Sequence, residues 1–396
     1  MNKTVIFLPL KPRHRARKTL LSNSPKHIKY IVGEGEIKNK NIKPIKKHNI
    51  FFNKIRDLSH MIFKKIFSQI QFPAIEIKLP NRNFYFDYYL KNISVILSNK
   101  KFIVYQLENI LSLFNTKGQK LNSRLSLILL KAILLSNRCK YIFCMSEAAK
   151  ESAIKILNIP QKKQEKFQVI YPTINPIKYK KDSNDPIVRL LYLSRTHIFG
   201  NSFYWKGGKL VLQAFEKLKK NYSNIELVFN GHVPPEFKRH FEKISSIKFY
   251  RDIPYENVID FYKKADIFLF PTYADNFGFT FIEAMSYGLP IICINNHFAS
   301  PELVLNNETG FLVDTSLKFL KYPFGIINYD WIKKWKIIIM KEDDLVGLNN
   351  LVEKLEILIQ NKELREKFGN NGRNRLIDGE LSIKARNRKL TLLFKN

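Results

Sequence analysis

Ala265 to Val313 is the stretch that most constrains this chain, because it sets a helical period between two strand-like runs. It reads ADIFLFPTYADNFGFTFIEAMSYGLPIICINNHFASPELVLNNETGFLV. Ile267 to Phe270 is apolar and closed by Pro271, which predicts a short buried strand. Phe279 to Tyr287 predicts a helix, stopped by Gly288 and then Pro290. Pro290 to Ile294 is a second strand-like run. Strand, turn, helix and strand make one βαβ unit. Such units take ligands beyond the carboxyl end of the strand, at the helix N-terminus.

Two acids stand in this unit. Asp275 lies in the turn and Glu283 just over one turn into the helix, with seven residues between them, so both can face one ligand. Gly278 has no Cβ and lets backbone approach that ligand closely. The N–H groups of the first turn favour an anionic or hydroxyl-rich partner. An isolated acid pair of this kind is accounted for by Asp275 capping the helix and Glu283 meeting solvent. The flanking residues shift that balance.

A second strand, basic loop and helix lies upstream. Arg189 to Leu193 predicts a strand, followed by Ser194-Arg195, then Lys206-Gly207-Gly208 and a helix from Gly208 to Asn221. Arg195 offers a planar fork to a pyrophosphate and Lys206 a point charge. Taken alone, Lys206 reads as a solvated surface lysine; Arg195 and the acid pair give it a site. Further strands are predicted at Ile225 to Phe229, before Asn230-Gly231, and at Ile247 to Tyr250, with a helix bearing Tyr262 over Pro254 to Ala265.

Asp275-Asn276-Phe277-Gly278-Phe279, Glu283-Ala284-Met285 and Gly288-Leu289-Pro290 together resemble the donor-site signature of family 4 retaining glycosyltransferases of the GT-B fold. Pro301-Glu302-Leu303-Val304 and Glu308-Thr309-Gly310-Phe311-Leu312-Val313 match its continuation, and Ser194-Arg195 with Lys206-Gly207-Gly208 its donor-phosphate clamp. There are three departures. The first acid is Asp275 rather than a glutamate, one methylene shorter. Asn295-Asn296-His297 replaces the family's Gly-Gly. His197 to Trp205 lengthens the gap between Arg195 and Lys206.

The resemblance implies a nucleotide-diphosphate sugar as donor substrate, with no metal and no other cofactor. It implies that Arg195 and Lys206 hold the diphosphate, beside Gly207, and that Glu283 bonds the ribose. Asp275 contacts the donor-sugar hydroxyls, and the backbone of Asn276, Phe277, Gly278, Phe279 and Thr280 assists. In the first half, Glu108 follows a predicted strand at Phe102 to Tyr105. Ser146-Glu147 follows another at Tyr141 to Met145. By resemblance Glu108 and Ser146 lie on the acceptor side; by residue type alone, Ser146 reads as a helix cap.

Length and charge bound the rest. The 396 residues suffice for two domains. Hydrophobic residues make up 45% of the chain, which excludes a disordered polymer. Three cysteines, Cys139, Cys144 and Cys293, fit neither a metal spacing nor a disulfide framework. The net charge of +33 is lopsided: residues 1–184 hold 36 Lys and Arg against 10 Asp and Glu, a balance of +26. Such a field attracts polyanions. The basic run Lys11 to Lys18 and the basic amphipathic segment Ile50 to Phe72 are the candidates for an anionic membrane surface. The second serves equally as a helix docked on a sheet. No run reaches the roughly 18 apolar residues of a spanning helix, and no RNA-binding pattern interleaves aromatic with basic residues.

The fold expectation is α/β: GT-B, two doubly wound Rossmann-like domains facing a cleft. Residues 1–175 form the acceptor-side domain and 185–375 the donor domain, with 376–396 a C-terminal helix packing back on the first. The function expectation is a retaining glycosyltransferase acting on a glycan or lipid-linked acceptor in cell-surface polysaccharide or lipopolysaccharide synthesis, cytoplasmic or peripheral at the inner membrane face, without nucleic acid. The alternative is a non-catalytic polyanion-binding protein on a degenerate GT-B scaffold.

Overall fold

The structure is a computed structural model that describes residues 4–8, 19, 21–32, 85–87, 101–110, 124–177, 185–194, 202–251, 253–317, 335 and 337–395. Arg195, the basic run at Lys11 to Lys18 and the amphipathic segment at Ile50 to Phe72 lie outside these residues. Two compact units divide the chain. The first holds Met1–Pro172 and Asn387–Asn396, and the second Thr173–Pro323 and Asp330–Arg386. Each is built on a six-stranded sheet whose described pairings are all parallel.

The first sheet has the order β2-β1-β3-β4-β5-β6. Its strands are β1 (Thr4–Leu8), β2 (Ile28–Val32), β3 (Tyr85–Asp87), β4 (Phe102–Leu107), β5 (Cys139–Cys144) and β6 (Phe167–Val169). Alternate residues of β4 and β5 feed opposite faces, as strand geometry requires. Phe102, Val104, Ile142 and Cys144 join α1 (Arg124–Leu135) and α2 (Glu147–Ile156) in one core. Ile103 and Phe143 pack on the other face with Leu390 and Phe394, from the C-terminal helix Ile383–Lys395. Both faces are therefore covered, as parallel sheets demand. The Tyr141 hydroxyl donates to the Leu393 carbonyl at 2.9 Å and fixes the end of that helix on this sheet.

The second sheet has the order β12-β11-β10-β7-β8-β9. From β7 (Val188–Leu193) the chain passes α3 (Ser202–Trp205) and α4 (Gly208–Lys219) to β8 (Ile225–Asn230), then α5 (Pro235–Phe241) to β9 (Ile247–Tyr250). It then returns through α6 (Tyr255–Lys264) to β10 (Ile267–Leu269), which pairs with the other side of β7. Beyond lie α7 (Phe279–Ser286), β11 (Ile291–Ile294), α8 (Ser300–Leu303) and β12 (Gly310–Val313), then α9 (Leu345–Gln360) and α10 (Lys362–Ile377). The strand order reverses between β7 and β10. In open α/β sheets, that reversal is where ligands bind, outside the carboxyl ends of the strands.

α10 runs through the Gly369-Asn370-Asn371-Gly372 stretch. Tertiary packing overrides the weak helix propensity of these residues. A Cβ on Gly369 would stand 1.8 Å from the Gly288 carbonyl oxygen, so only glycine lets α10 lie this close to the end of α7. After Val313, residues 337–341 are helical. Nearby, Trp335 is buried and stacks on Trp205 at 5.3 Å between centroids.

Candidate donor site

The turn between α3 and α4 carries Lys206, and the loop after β10 carries Asp275. Gly207 brings them together. It adopts φ +74°, the left-handed region that suits glycine, and caps the start of α4. A Cβ there would stand 2.1 Å from the Pro271 carbonyl oxygen, so the two backbones touch. The contact is stitched further. Tyr273 donates its N–H to the Trp205 carbonyl at 3.0 Å, and the Thr272 hydroxyl lies 3.4 Å from the same oxygen. As a result the Lys206 ammonium donates to the Asp275 carboxylate and to the Ala274 carbonyl, each at 2.9 Å. It also sits 5.6 Å from the centre of the Phe270 ring. An ammonium has three donors, and two are spent on this loop.

The pair therefore spans the reversal point of the sheet, one partner beyond β7 and the other beyond β10. Their side chains are 17% and 25% exposed, so a ligand can reach both while bulk water screens them only in part. Immediately after Asp275 the chain turns into α7. Gly278, at φ +79°, is its N-cap. Phe277 is buried and meets Phe279 edge-on at 5.2 Å. The Thr280 hydroxyl is buried and has no hydrogen-bond partner among the described residues. A buried polar atom left without a partner calls for an explanation, and a bound ligand supplies one.

Glu283 falls three residues beyond Thr280, on the same helical face. It is buried, at 7% exposure, and its Oε2 accepts from the Tyr262 hydroxyl at 3.2 Å. A carboxylate at that depth is costly unless it is hydrogen-bonded, so solvation does not account for it. On the far side of the loop, Asn296 follows β11 and donates to the Thr272 carbonyl at 3.0 Å and to the Ser300 hydroxyl at 3.2 Å. Sequence reading treated Asn296 only as a departure from a glycine and Tyr262 only as a helix residue. Neither lies in a local motif, because each acts across the fold.

Asp344 braces the loop from below. It caps α9, is 5% exposed, and accepts from the Gly347 N–H at 2.9 Å, the Ser316 N–H at 3.0 Å, the Ser316 hydroxyl at 2.9 Å, the Tyr273 hydroxyl at 2.9 Å and the Thr315 hydroxyl. Burial and this carboxylate push the Tyr273 phenol far above its ordinary pKa. A crevice lined by Gly207, Lys209, Tyr273 and Asp344 lies here too, but Lys206, Asp275 and Glu283 are not among its lining residues. In the first unit, Ser146 is fully buried and its hydroxyl accepts from the Ala149 N–H at 3.0 Å, the geometry of a helix cap. Glu108 stands half-buried just past the carboxyl end of β4.

Two parallel α/β units, with this cluster at the sheet's reversal point, make a GT-B fold, and comparison with known proteins agrees on that fold. Residues 196–318 match the family model of the glycosyl transferases group 1. The chain is 28% identical over 255 residues to the capsular polysaccharide biosynthesis glycosyltransferase CapM of Staphylococcus aureus, which covers 62% of this chain and 56% of CapM. It thus spans little more than half of that curated relative. Among solved structures, Anabaena HepE in complex with UDP and glucose aligns over 100% of both chains, with a TM-score of 0.60 and 13% identity. WaaG, a glycosyltransferase involved in lipopolysaccharide biosynthesis, aligns over 99% of this chain and 100% of its own, with a TM-score of 0.53 and 14% identity. Both likenesses concern the fold.

Proposed function

We propose that this chain transfers a sugar, with retention at the anomeric carbon, from a nucleotide-diphosphate sugar to a glycan or lipid-linked acceptor of a cell-surface polysaccharide or lipopolysaccharide. The observation that carries this reading is the Lys206–Asp275 pair at the sheet's reversal point, with α7 opening directly beyond it. HepE, with the same fold, is solved with UDP and glucose, and CapM acts in capsule biosynthesis by name. The first supports a nucleotide-sugar donor and the second a polysaccharide product.

In this reading Lys206 and Arg195 hold the diphosphate, Glu283 bonds the ribose and Asp275 meets the donor-sugar hydroxyls. The N-terminal turn of α7 adds its N–H groups on the anionic side. Charge develops on the departing diphosphate, and fixed cations placed there lower the barrier by more in the transition state than in the ground state. On a front-face path the leaving phosphate itself takes the acceptor's proton, so the protein needs to supply no general base.

The acceptor side follows from charge. The basic first half suits an anionic or lipid-diphosphate acceptor at the cytoplasmic face of a membrane. Among the described residues no helix is long and apolar enough to cross a membrane, so contact with the bilayer is proposed as peripheral. Consumption of UDP-, GDP- and ADP-sugars by the parent, by Lys206→Ala and by Glu283→Ala tests the donor reading. Turnover that both changes abolish supports it; a parent that neither binds nor consumes any donor favours the polyanion-binding alternative. Co-sedimentation with anionic vesicles at low salt tests the membrane reading, which the absence of binding removes.

A further inference from the structure

We infer that Tyr262 is a positioning residue for the donor ribose, acting through Glu283; the inference rests on the reading that Glu283 bonds that ribose. Tyr262 lies on α6, 21 residues before Glu283, and no sequence motif links the two. Its hydroxyl donates to Glu283 Oε2 at 3.2 Å, and both side chains are buried, at 2% and 7% exposure.

The tyrosine is itself held. Its ring stacks on Tyr287 at 5.2 Å with the planes 4° apart and leans on Phe268 at 5.9 Å. Tyr287 caps the end of the helix that carries Glu283, and Phe268 belongs to β10, the strand that leads into the donor loop. The ring stack thus joins the three elements around the carboxylate. A carboxylate offers about four acceptor positions over its two oxygens, and its terminal torsion is broad and only weakly fixed by rotamer preference. One buried phenol donor fixes that torsion before a ligand arrives. A pre-oriented acceptor loses less freedom on binding and discriminates more sharply for its donor partner.

Tyr262→Phe removes only the hydroxyl and keeps the ring stack. The test uses the full chain. UDP, GDP and ADP are screened by thermal stabilisation, and the diphosphate that binds is titrated beside its 2′-deoxy and 3′-deoxy forms. In the parent, loss of a ribose hydroxyl bonded to a carboxylate weakens binding by about tenfold or more. In Tyr262→Phe the same loss shrinks to about threefold or less, while the melting temperature stays near the parent's. A change that merely loosened packing would weaken ribo and deoxy ligands alike and leave their ratio intact.

In Glu283→Ala, adding Tyr262→Phe changes the ratio no further. An undiminished ribo-to-deoxy ratio in Tyr262→Phe overturns the inference about Tyr262. A parent that binds a diphosphate but does not distinguish ribose from deoxyribose overturns the Glu283–ribose reading instead, and a parent that binds none of the three overturns the donor reading itself.

Discussion

The Lys206 ammonium stands 2.9 Å from the Asp275 carboxylate, although 69 residues separate them in the chain. The cation expected to grip a diphosphate is thus already matched by an acid from the neighbouring strand's loop. In Asp275→Asn the ammonium loses that competitor and the diphosphate loses a nearby like charge. Exposed and half-exposed ion pairs contribute up to about 1 kcal/mol, so the affinity for the nucleoside diphosphate alone should rise about two- to fivefold. Transfer should fall, because the amide is a poorer acceptor for sugar hydroxyls. Calorimetric titration with UDP, beside a turnover assay, reads both. Weaker UDP binding in Asp275→Asn would show that the carboxylate holds the lysine in place rather than competing for it. Lys206→Ala should lower turnover by about a hundredfold or more, the scale of losing one preorganised charge at a leaving group.

Asp344 is the brace under the donor loop. Removing a buried carboxylate that satisfies Tyr273, Thr315, Ser316 and the cap of α9 leaves several donors without partners. Asp344→Ala should cost about 3 kcal/mol or more of stability. Tyr273→Phe, which removes one donor, should cost about 1 kcal/mol. Urea denaturation measures both; a smaller effect for Asp344→Ala than for Tyr273→Phe would contradict the hub.

Gly207 allows no side chain. A Cβ would meet the Pro271 carbonyl oxygen at 2.1 Å and would place a non-glycine residue at φ +74°. The backbone strain alone is about 1–3 kcal/mol, and the overlap forces the α3–α4 turn away from the donor loop. Gly207→Ala should therefore lose donor binding together with stability, seen as a lower melting temperature and no thermal shift with the donor. Unchanged donor affinity in a folded Gly207→Ala protein would refute this packing.

Alkaline pH should destabilise the protein through its thiols. Burial pushes Cys139 up from 9.0 to about 12, and Cys144 and Cys293 higher still. Above about pH 9 the unfolded chain gives up these protons while the native state keeps them. The native state then binds more protons, and stability falls with rising pH by up to about 1.4 kcal/mol per pH unit for each thiol. The buried phenols of Tyr192 and Tyr273 are also raised and act in the same direction. Comparing the urea midpoint at pH 7.5 and pH 10 isolates the effect when Cys293→Ala is run beside the parent: the variant should lose less. Equal losses would rule out a contribution from Cys293.

The sequence by itself determined the local elements and carried the motif that resembles a donor site. Apolar runs bounded by turn or polar residues located β7, β8, β10 and β11 to within a residue or two. The Asp275-to-Glu283 spacing located α7, because the helical period and its stop signals are encoded within ten residues. What only the tertiary structure decided is how these pieces meet. The pairing of β10 with β7 makes the reversal point that brings Lys206 to Asp275, and no local pattern encodes a strand order. Tyr262 on Glu283, Asn296 on Thr272 and Asp344 under Tyr273 are contacts between different elements, so each partner taken alone reads as ordinary. The continuation of α10 through Gly369 is of the same kind: a helix written in poor helix formers, kept because only glycine fits against the Gly288 carbonyl.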